Sequence, residues 1–412
     1  MNAVTSSVPR TVVVVGAGHG AASLVGLLRQ EGYTGRIVLL GEEIDYPYHR
    51  PPLSKKFAEG ELEQWLRPPE FYREQDVEVR LGEQVTEIHR EAGRVVTATG
   101  ERIRYDVLVL ATGSRPRPLP VADADLAGVG ALRNLGDARA LRKWVAEGRK
   151  LAIIGGGYIG LEVAAVACAA GAEAVVLERE DRVLARVGSP ELSAILTARH
   201  TEQGTVVRTG VAVTGLEGAD GQVERVVLEG GETIDCTAVL VGIGAIPCDE
   251  LAAAADLKRG PAGGVIVDEF ARTSDPAILA IGDVTCRAVP GLDGIGRLES
   301  IPSATEQAKH AVAAILGTTP PRPETPWFWS DQFDLKLKIA GVVRPGADVI
   351  RRGDPETGRF ALFHVRDGVP VAVESANASP EFMAGKKWIG AGTLVDPGRL
   401  ADPGIALRDA VR

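Results

Sequence analysis

Residues 12–21 are Val-Val-Val-Val-Gly-Ala-Gly-His-Gly-Ala, and residues 151–160 are Leu-Ala-Ile-Ile-Gly-Gly-Gly-Tyr-Ile-Gly. Each stretch begins with a short apolar run, as expected of a parallel strand that is covered on both faces. Glycines in the spacing GxGxxA or GxGxxG follow, and an apolar helical pattern continues from them. A second apolar strand comes next in both cases, at residues 37–40 and 174–177. The chain therefore contains the same βαβ unit twice.

The two glycine turns have the arrangement that binds the pyrophosphate of a dinucleotide. The first glycine makes the tight turn, the second lets the backbone approach the phosphates, and a small third residue lets the helix pack on the strand. Free N–H groups at the helix N-terminus favour the phosphate charge. An acidic residue follows the second strand of each unit, Glu42 in the first and Glu178 in the second. Two dinucleotide sites predict an electron relay between a resident flavin and an exchangeable nicotinamide.

Glu178 bears on the choice of nicotinamide. A carboxylate at this position accepts hydrogen bonds from the adenosine ribose hydroxyls and repels a 2′-phosphate. At ~4 Å, each like-charge pair costs about 1 kcal/mol in a water-like dielectric and about 4 kcal/mol at an effective dielectric constant of 20. The sequence therefore predicts NADH over NADPH, although Arg179 and Arg182 are close enough in sequence to weaken the discrimination.

The composition excludes several other classes of protein. The chain has 412 residues, 45% of them hydrophobic and 25% charged, which predicts a folded protein of two to four domains. The net charge of −9 argues against a general nucleic-acid or membrane-surface binder. The four cysteines form no CxxC or CxxxxC motif, so we expect no metal site, no disulfide framework and a reducing, cytoplasmic location. The apolar stretches at residues 12–28 and 151–177 are explained by the βαβ units, so no membrane segment is expected.

The sequence pattern changes along the rest of the chain. Residues 94–97 and 105–110 alternate in a way that is typical of half-buried antiparallel strands. Four prolines between residues 320 and 326 predict a linker. Short strands such as residues 360–363 follow it, which indicates a separate C-terminal α+β domain.

Six stretches carry a resemblance to a known family. They are His49-Arg50-Pro51-Pro52-Leu53-Ser54-Lys55, Ala111-Thr112-Gly113, GGGYIGLEVA at residues 155–164, Ile281-Gly282-Asp283, Glu299-Ser300-Ile301-Pro302, and PWFWSDQ at residues 326–332. From about residue 10 to residue 400, the chain resembles the FAD-dependent ferredoxin reductases of oxygenase systems, of the putidaredoxin reductase and rubredoxin reductase type.

The resemblance implies an α/β fold of glutathione-reductase type. It would comprise two Rossmann-like dinucleotide-binding domains and a C-terminal α+β domain. The implied bounds are residues 10–115 and 247–322 for a discontinuous FAD-binding domain, 116–246 for an NAD-binding domain and 323–412 for the C-terminal domain.

The resemblance also implies which residues bind the cofactors. The FAD contacts would be Gly16, Gly18, Gly20, Glu42, Lys55, Val85, Ala111, Arg133, Asp283, Ile301 and Trp329. The NAD contacts would be Gly155, Gly157, Tyr158, Ile159, Gly160, Glu162 and Glu178. Simpler alternatives are a surface ion pair for Arg133 and plain core packing for Val85. Trp329 suits the flavin, a docking face or core packing equally.

Lys55 and Glu162 are the implied catalytic pair. In the family's arrangement, a lysine near flavin N5 pairs with this glutamate. Glu162 lies in an apolar helical stretch, where an ionised carboxylate needs a partner. The alternative is a solvated Lys55 and a Glu162 that is paired elsewhere.

Cysteine is absent from residues 1–167, so no thiol relay can lie just after the first glycine turn. Electrons must then leave directly from the flavin. The expected reaction is hydride transfer from NADH to flavin N5, followed by two single-electron transfers to a small ferredoxin, most simply of the [2Fe–2S] type. That ferredoxin would supply a cytochrome P450 or a ring-hydroxylating oxygenase, and the reductase would be a monomer.

Two other functions remain open at this point. The flavin could reduce a small molecule such as a quinone or the ascorbyl radical, or the protein could signal by binding partners, as relatives of apoptosis-inducing factor do. A ferredoxin is usually acidic, so the main expectation requires a local basic surface on this acidic chain. The candidates are Arg73, Arg297, Lys309, Lys336, Lys338, Lys386 and Lys387.

Overall fold

The computed structural model describes residues 8–148 and 150–412. Within these residues the chain forms two compact units, each built from three segments. The first unit contains the described residues up to 49, together with 63–115 and 246–326, and the second contains 50–62, 116–245 and 327–412.

The helices and strands are numbered in chain order. The α-helices are α1 (His19–Gln30), α2 (Pro51–Lys55), α3 (Pro69–Glu74), α4 (Leu135–Ala146), α5 (Tyr158–Ala169), α6 (Pro190–Glu202), α7 (Glu250–Ala254), α8 (Ile301–Leu316), α9 (Ser379–Ala391) and α10 (Pro397–Ala401). Short 3-10 helices lie at Gly282–Val284, Pro355–Thr357 and Leu407–Ala410. The strands up to the second glycine turn are β1 (Thr11–Val15), β2 (Arg36–Gly41), β3 (Val77–Leu81), β4 (Val85–His89), β5 (Arg94–Thr97), β6 (Arg102–Arg104), β7 (Val107–Leu110), β8 (Ser114–Pro116), β9 (Val129–Gly130) and β10 (Leu151–Ile154).

The remaining strands complete both units. They are β11 (Ala174–Leu177), β12 (Val206–Arg208), β13 (Val213–Ala219), β14 (Gln222–Leu228), β15 (Thr233–Asp235), β16 (Ala238–Val241), β17 (Ala245–Pro247), β18 (Val265–Ile266), β19 (Ile278–Ala280), β20 (Thr285–Ala288), β21 (Ile295–Gly296), β22 (Trp327–Gln332), β23 (Leu335–Gly341), β24 (Asp348–Asp354), β25 (Arg359–Arg366) and β26 (Val369–Ala376).

A five-stranded parallel sheet in the order β19-β7-β1-β2-β3 forms the centre of the first unit. The valine run of β1 is continuous because both faces of this strand are covered. Val12 and Val14 enter the core formed with α1 and α8, whereas Val13 and Val15 enter the core on the opposite face. This arrangement places the first glycine turn at the carboxyl edge of the sheet.

One strand of this sheet corrects the sequence analysis. Residues 105–110 were expected to form a half-buried antiparallel strand, but β7 is parallel to β1 and β19 and lies between them. Leu108 and Val109 are fully buried. The alternation of polar and apolar residues depends on Asp106, but Asp106 precedes the strand, which begins at Val107. Its carboxylate caps the start of β1 by accepting hydrogen bonds from the backbone N–H groups of Arg10 and Thr11 at 2.9 Å and 2.8 Å.

The second unit contains an equivalent parallel sheet in the order β12-β11-β10-β16-β9. Ala152 and Ile154 of β10 face a core that includes apolar side chains of the antiparallel sheet β13-β14-β15. The second glycine turn follows β10 directly, so this turn also lies at the carboxyl edge of a parallel sheet.

The C-terminal part of the second unit is a five-stranded antiparallel sheet in the order β22-β23-β26-β25-β24. Helix α9 covers one face, where Phe382 and Trp388 pack against Phe363 and Val373. The predicted fold class is therefore confirmed: the chain has two Rossmann-like parallel sheets and a C-terminal α+β domain. No helix within residues 8–148 and 150–412 is both long and apolar enough to cross a membrane.

Candidate functional site: two dinucleotide turns and a buried ion pair

The first glycine turn connects β1 to α1. Gly16 has a φ of +104°, and a Cβ atom at this position would lie 2.2 Å from the carbonyl oxygen of Ala111, so only glycine is tolerated. Gly18 is the N-cap of α1, and no side chain caps the helix there. A Cβ on Gly18 would meet nothing within 4 Å. The turn therefore presents uncapped N–H groups to open space, as a phosphate site requires.

Four neighbouring strands of the first sheet end at this same edge. Gly16 follows β1, Glu42 follows β2, Ala111 follows β7, and Asp283 comes three residues after β19. Glu42 is exposed, while Asp283 accepts a hydrogen bond from the Ser114 hydroxyl at 3.1 Å. These four predicted FAD residues are thus brought together by the topology of the sheet, where ligands of open α/β folds bind.

The other predicted FAD residues of the first unit lie where they serve helix packing, a helix start or the apolar core. Gly20 lies in the first turn of α1, where an added Cβ would be 3.5 Å from Ile281. Ile301 is the first residue of α8, and the N-cap of that helix is the Ser300 side chain. Val85 is 6% exposed and belongs to the apolar core, which is the simpler alternative for this residue.

The second glycine turn repeats the first turn's geometry. Gly155 has a φ of +110°, and a Cβ there would lie 2.4 Å from the carbonyl oxygen of Gly242. Gly157 is the uncapped N-cap of α5 and faces open space. A Cβ on Gly160 would lie 2.3 Å from the carbonyl oxygen of Gly155, so this glycine permits the close packing of the helix on the turn.

Glu178 is fixed at the second turn by two backbone hydrogen bonds. Its Oε2 accepts from the N–H of Gly156 at 2.6 Å, and its Oε1 accepts from the N–H of Glu180 at 2.8 Å. Each carboxylate oxygen keeps further lone-pair capacity for a ribose hydroxyl. The carboxylate is therefore held where the sequence predicts an adenosine ribose.

The two nearby arginines have different roles. Arg179 is exposed and pairs with Glu180. The Arg182 guanidinium instead donates to the carbonyl oxygens of Gly188 and Ala185 at 2.9 Å each and to the Ser193 hydroxyl at 2.8 Å. Arg182 thus braces the loop after Glu178, a role that its position in the sequence did not reveal.

Tyr158 opens α5 beside the same turn. Its ring packs edge-on against Phe328 with centroids 4.7 Å apart. Its hydroxyl is buried and has no hydrogen-bond partner among the residues that the structure describes. Burial raises the pKa of Tyr158 well above its usual value, and the nearby carboxylates of Glu374 and Glu162 add to this effect. The neutral phenol is thus a donor available to a ligand, and the neighbouring Ile159 is 51% exposed.

Lys55 and Glu162 form an ion pair between α2 and α5. Their side chains are only 10% and 5% exposed. The Glu162 carboxylate also accepts hydrogen bonds from the hydroxyls of Ser54 at 2.5 Å and Ser330 at 2.6 Å. The buried carboxylate therefore has a cation and two neutral donors, as an ionised group in this environment requires. The sequence predicts the pair, but the hydrogen bonds from Ser54 and Ser330 were not predicted.

The last two predicted FAD residues lie elsewhere in the second unit. The carbonyl oxygen of Arg133 accepts a hydrogen bond from the Arg50 guanidinium, and its N–H donates to Asp137 at 2.8 Å. Trp329 lies half-buried on β22, with its ring centroid 5.9 Å from that of Trp327. The backbone of Arg133 and the ring of Trp329 thus have structural contacts.

The candidate basic residues differ in how they are neutralised. Arg73, Arg297, Lys309 and Lys336 each pair with a carboxylate. Lys338 lies 5.7 Å from the centroid of Phe382 and donates to the Ser379 hydroxyl at 3.2 Å, and Lys386 lies 5.1 Å from the centroid of Trp327. A cation held over a ring keeps its charge toward solvent, so Lys338, with these neutral contacts, is a candidate for attracting an acidic partner.

Both glycine turns fit the dinucleotides that the sequence predicts. Each has an uncapped helix N-terminus, a glycine N-cap whose open side would admit a phosphate, and an acidic residue after the next strand. The second turn adds the unpartnered Tyr158 hydroxyl.

Comparisons with known proteins agree with this geometry. Residues 10–308 match the family model described as pyridine nucleotide-disulphide oxidoreductase, and residues 327–411 match the reductase C-terminal model. The chain is 44% identical to the probable ferredoxin reductase CtmF of Castellaniella defragrans, over 96% of this chain and 97% of that protein.

Two solved structures are also similar to this chain over nearly its whole length. The reductase in the covalent putidaredoxin reductase–putidaredoxin complex superposes with a TM-score of 0.93 at 38% identity, covering 97% of this chain and 98% of that one. The ferredoxin reductase for the CYP199A2 system of Rhodopseudomonas palustris gives a TM-score of 0.92 at 38% identity, covering 98% and 100%. The chain therefore belongs to the ferredoxin reductases of the pyridine nucleotide-disulphide oxidoreductase family.

Proposed function

We propose that this protein is an NADH-dependent ferredoxin reductase that uses FAD as its resident cofactor. The observation that carries this conclusion is the pair of dinucleotide turns, each with an uncapped helix N-terminus and an acidic residue after the next strand. Relatives at 38–44% identity that are named as ferredoxin reductases support the same activity.

The cofactor contacts that we propose are those that the resemblance implies. The FAD contacts that we propose in the first unit are Gly16, Gly18, Gly20, Glu42, Val85, Ala111, Asp283 and Ile301, and those in the second unit are Lys55, Arg133 and Trp329. For NADH we propose Gly155, Gly157, Tyr158, Ile159, Gly160, Glu162 and Glu178. Bound FAD would supply the conversion between a two-electron donor and a one-electron acceptor, while the protein supplies orientation and charge.

Glu178 would select NADH over NADPH. Its carboxylate is held at the turn by the N–H groups of Gly156 and Glu180. A 2′-phosphate in the same place would face this fixed negative charge. Arg182 does not relieve the repulsion, because its guanidinium is committed to the carbonyl oxygens of Ala185 and Gly188.

Lys55 and Glu162 would keep the nicotinamide site in shape. A buried ion pair with further hydrogen bonds is rigid, since any displacement leaves a charge without its partner in a low-dielectric environment. We assign the pair the role of catalytic residues because the resemblance places Lys55 beside the flavin.

The route of the electrons would involve no cysteine. None of the four cysteines, all of which lie in the described residues, is in a disulfide bond, and the first of them in the chain is Cys168. Electrons would therefore leave from the flavin itself and pass to a one-electron carrier, for which we propose a [2Fe–2S] ferredoxin.

We also propose a terminal oxygenase, an oligomeric state, a location and domain bounds. The ferredoxin would supply a cytochrome P450 or a ring-hydroxylating oxygenase, as the name of the Rhodopseudomonas palustris relative suggests. The protein would act as a monomer in the cytoplasm, where thiols stay reduced. We propose domains at residues 10–115 with 247–322, at 116–246 and at 323–412. The chain passes between its two compact units at residues 49–50, 62–63, 115–116, 245–246 and 326–327, and the last three of these support the bounds.

The acceptor can be tested by steady-state oxidation of NADH with a [2Fe–2S] ferredoxin and with a quinone. The proposal predicts a higher kcat/KM for the ferredoxin than for the quinone. The kcat/KM for the ferredoxin should fall as added salt shortens the Debye length below about 10 Å. Replacing Lys338 by Gln should lower kcat/KM for the ferredoxin and weaken its salt dependence. Lys336→Gln is the matched control, because Lys336 is already paired with Asp331 at 3.6 Å. A much higher turnover with the quinone would contradict the proposal.

A further inference from the structure

A buried chain of hydrogen bonds leads away from the Lys55–Glu162 pair. Gln332 lies on the same strand as Ser330, and its Nε2 donates to the Ser330 hydroxyl at 3.2 Å. Its Oε1 lies 3.0 Å from Nε2 of His200 on α6. Ser330, Gln332 and His200 are each 0% exposed. A polar histidine therefore occupies the interior of the unit, connected to Glu162 through two side chains.

The chain continues beyond the imidazole. Nδ1 of His200 lies 3.3 Å from the Thr205 hydroxyl, and that hydroxyl oxygen lies 3.3 Å from Sγ of Cys168. Thr205 is 2% exposed. The sequence separations are large: Gln332 and His200 are 132 residues apart, and Ser330 and Glu162 are 168 apart.

The direction of every hydrogen bond follows from the carboxylate. Ionised Glu162 only accepts, so Ser330 gives its single proton to it and can only accept from Gln332. Gln332 must therefore turn its NH2 group to Ser330 and its oxygen to His200, and His200 must carry its proton on Nε2. Burial lowers the pKa of His200, which keeps the ring neutral and leaves Nδ1 to accept from Thr205. Thr205 can then accept from the Cys168 thiol.

We infer that His200 is a positioning residue for the Lys55–Glu162 pair, acting through Gln332 and Ser330. With His200 as an Nε2–H donor, the Gln332 amide has one orientation, and the Ser330 proton points to Glu162. Without that donor, the amide can turn over, its oxygen can accept the Ser330 proton, and Glu162 loses one of its three donors. The inference rests on the proposed role of the Lys55–Glu162 pair in NADH oxidation.

The surroundings supply few competing charges. Glu162 faces Lys55 of α2 and the Tyr158 phenol of its own helix, and Tyr158 in turn lies near the buried Glu374 carboxylate of β26. The strands β10 and β11 carry only Ala, Ile, Leu and Val, whereas β22, which also packs on α5, carries Asp331, paired with Lys336. Near His200, Arg199 of α6 pairs with Asp334 at 2.7 Å. Phe333 packs edge-on against the imidazole at 5.0 Å between centroids. The hydrogen-bond chain is thus the main polar influence that His200 has on Glu162.

The first test reads the proton on His200 without measuring activity. Nitrogen-15 NMR of the holoprotein labelled at its six histidines should show, at about pH 8, a neutral ring of His200 with its proton on Nε2. The signal is assigned by its loss in His200→Gln. A His200 signal of the Nδ1–H tautomer, or of a protonated ring at this pH, would overturn the inference whatever the activity of the variant.

The second test compares two variants by stopped-flow reduction with NADH. His200→Leu removes the donor, and we expect flavin reduction to slow by about tenfold or more, because Glu162 loses the Ser330 donor that holds its carboxylate in place. His200→Gln keeps an N–H at the same place and should stay within about twofold of wild type. His310→Gln, at a buried histidine of the first unit, is the control for replacing a buried imidazole.

The outcomes separate this inference from the proposed function. If Lys55→Met slows reduction but His200→Leu keeps the wild-type rate, the hydrogen-bond chain does not position the pair and the inference is wrong. If Lys55→Met itself keeps the wild-type rate, the proposed role of the pair fails, and the inference fails with it.

Discussion

The Nζ atom of Lys55 is paired with Oε1 of Glu162 although the two residues lie 107 positions apart in the chain. The pair joins the short helix α2 to α5, the helix that opens at the second glycine turn. Because Ser54 and Ser330 also donate to the same carboxylate, Glu162 retains neutral hydrogen bonds when the cation is removed. The contribution of the Lys55 charge to stability and its contribution to activity can therefore be measured separately.

Lys55→Met should lower both stability and activity. The substitution leaves a buried carboxylate without its cation, which typically costs about 3–5 kcal/mol. Glu162→Gln should cost less, since the amide retains hydrogen-bonding capacity toward the serines. In the double variant we expect part of the loss to be recovered, with a coupling of about 1–3 kcal/mol.

Urea unfolding of the holoproteins and stopped-flow reduction by NADH measure the two effects. Additive free energies in the double variant would mean that the side chains do not interact in solution. Unchanged reduction rates in both single variants would remove the pair from the mechanism.

Gly155→Ala and Gly157→Ala should separate folding from binding. At Gly155 the added methyl group would meet the carbonyl oxygen of Gly242 at a φ of +110°, so we expect a loss of about 2–4 kcal/mol in the free energy of unfolding. At Gly157 nothing lies within 4 Å, so stability should change by less than about 0.5 kcal/mol.

Gly157→Ala should instead raise the KM for NADH by at least about tenfold, because the methyl group would occupy the side on which a pyrophosphate approaches. Denaturation curves and steady-state kinetics provide both numbers. An unchanged KM in a well-folded Gly157→Ala protein would show that the dinucleotide does not approach this turn.

Glu178→Gln should relax the preference for NADH. The amide has nearly the size of the carboxylate but lacks its charge, so repulsion of a 2′-phosphate falls. We expect the ratio of kcat/KM for NADPH to that for NADH to rise by about tenfold or more. Arg179→Gln is the control for a change in local charge, because Arg179 is exposed and paired with Glu180. Equal ratios in wild type and Glu178→Gln would exclude Glu178 as the selecting residue.

Buried His310 should make the protein less stable in acid. Burial lowers the pKa of His310 below its ordinary 6.5, and Arg287 and Lys309 oppose protonation further, while Glu306 favours it. Between the lowered pKa and 6.5, the unfolded chain binds more protons than the folded one. Stability is therefore lost as the pH falls below 6.5, by at most about 1.4 kcal/mol per pH unit for this group.

His310→Gln should remove that part of the pH dependence. Urea unfolding at about pH 7.5 and about pH 5.5 gives the comparison, and the difference between these conditions should be smaller in the variant. The same difference in both proteins would mean that His310 is protonated equally in the folded and unfolded chains.

The parts of the fold that local sequence determines were predictable. Each glycine turn is specified by a strand, a fixed spacing and a helix within about 30 residues, and this pattern located Gly16 and Gly155. The strand at Val107–Leu110 was assigned the wrong direction, because Asp106 gives the segment an alternating appearance although it caps the neighbouring strand β1.

The surroundings of Glu162 could be predicted only in part. Lys55 was found through a resemblance, whereas Ser330, Gln332 and His200 give no local signal. Ser330 and Gln332 lie on a strand among aromatic residues, and His200 lies on a helix 132 residues from Gln332. Their connection depends on packing between distant segments. Arg182 was likewise predicted only as a nearby positive charge. Its hydrogen bonds to the loop carbonyl oxygens depend on the loop conformation.

Anaerobic stopped-flow mixing tests the central claim most directly. The flavin absorbance of the holoprotein should bleach on mixing with NADH and return when a [2Fe–2S] ferredoxin is added, with two ferredoxins reduced for each NADH consumed. Prior alkylation of accessible thiols should leave both phases unchanged. A yellow protein that NADH does not bleach, or one whose transfer to ferredoxin stops after alkylation, would contradict a direct route from nicotinamide through flavin to the iron–sulfur protein.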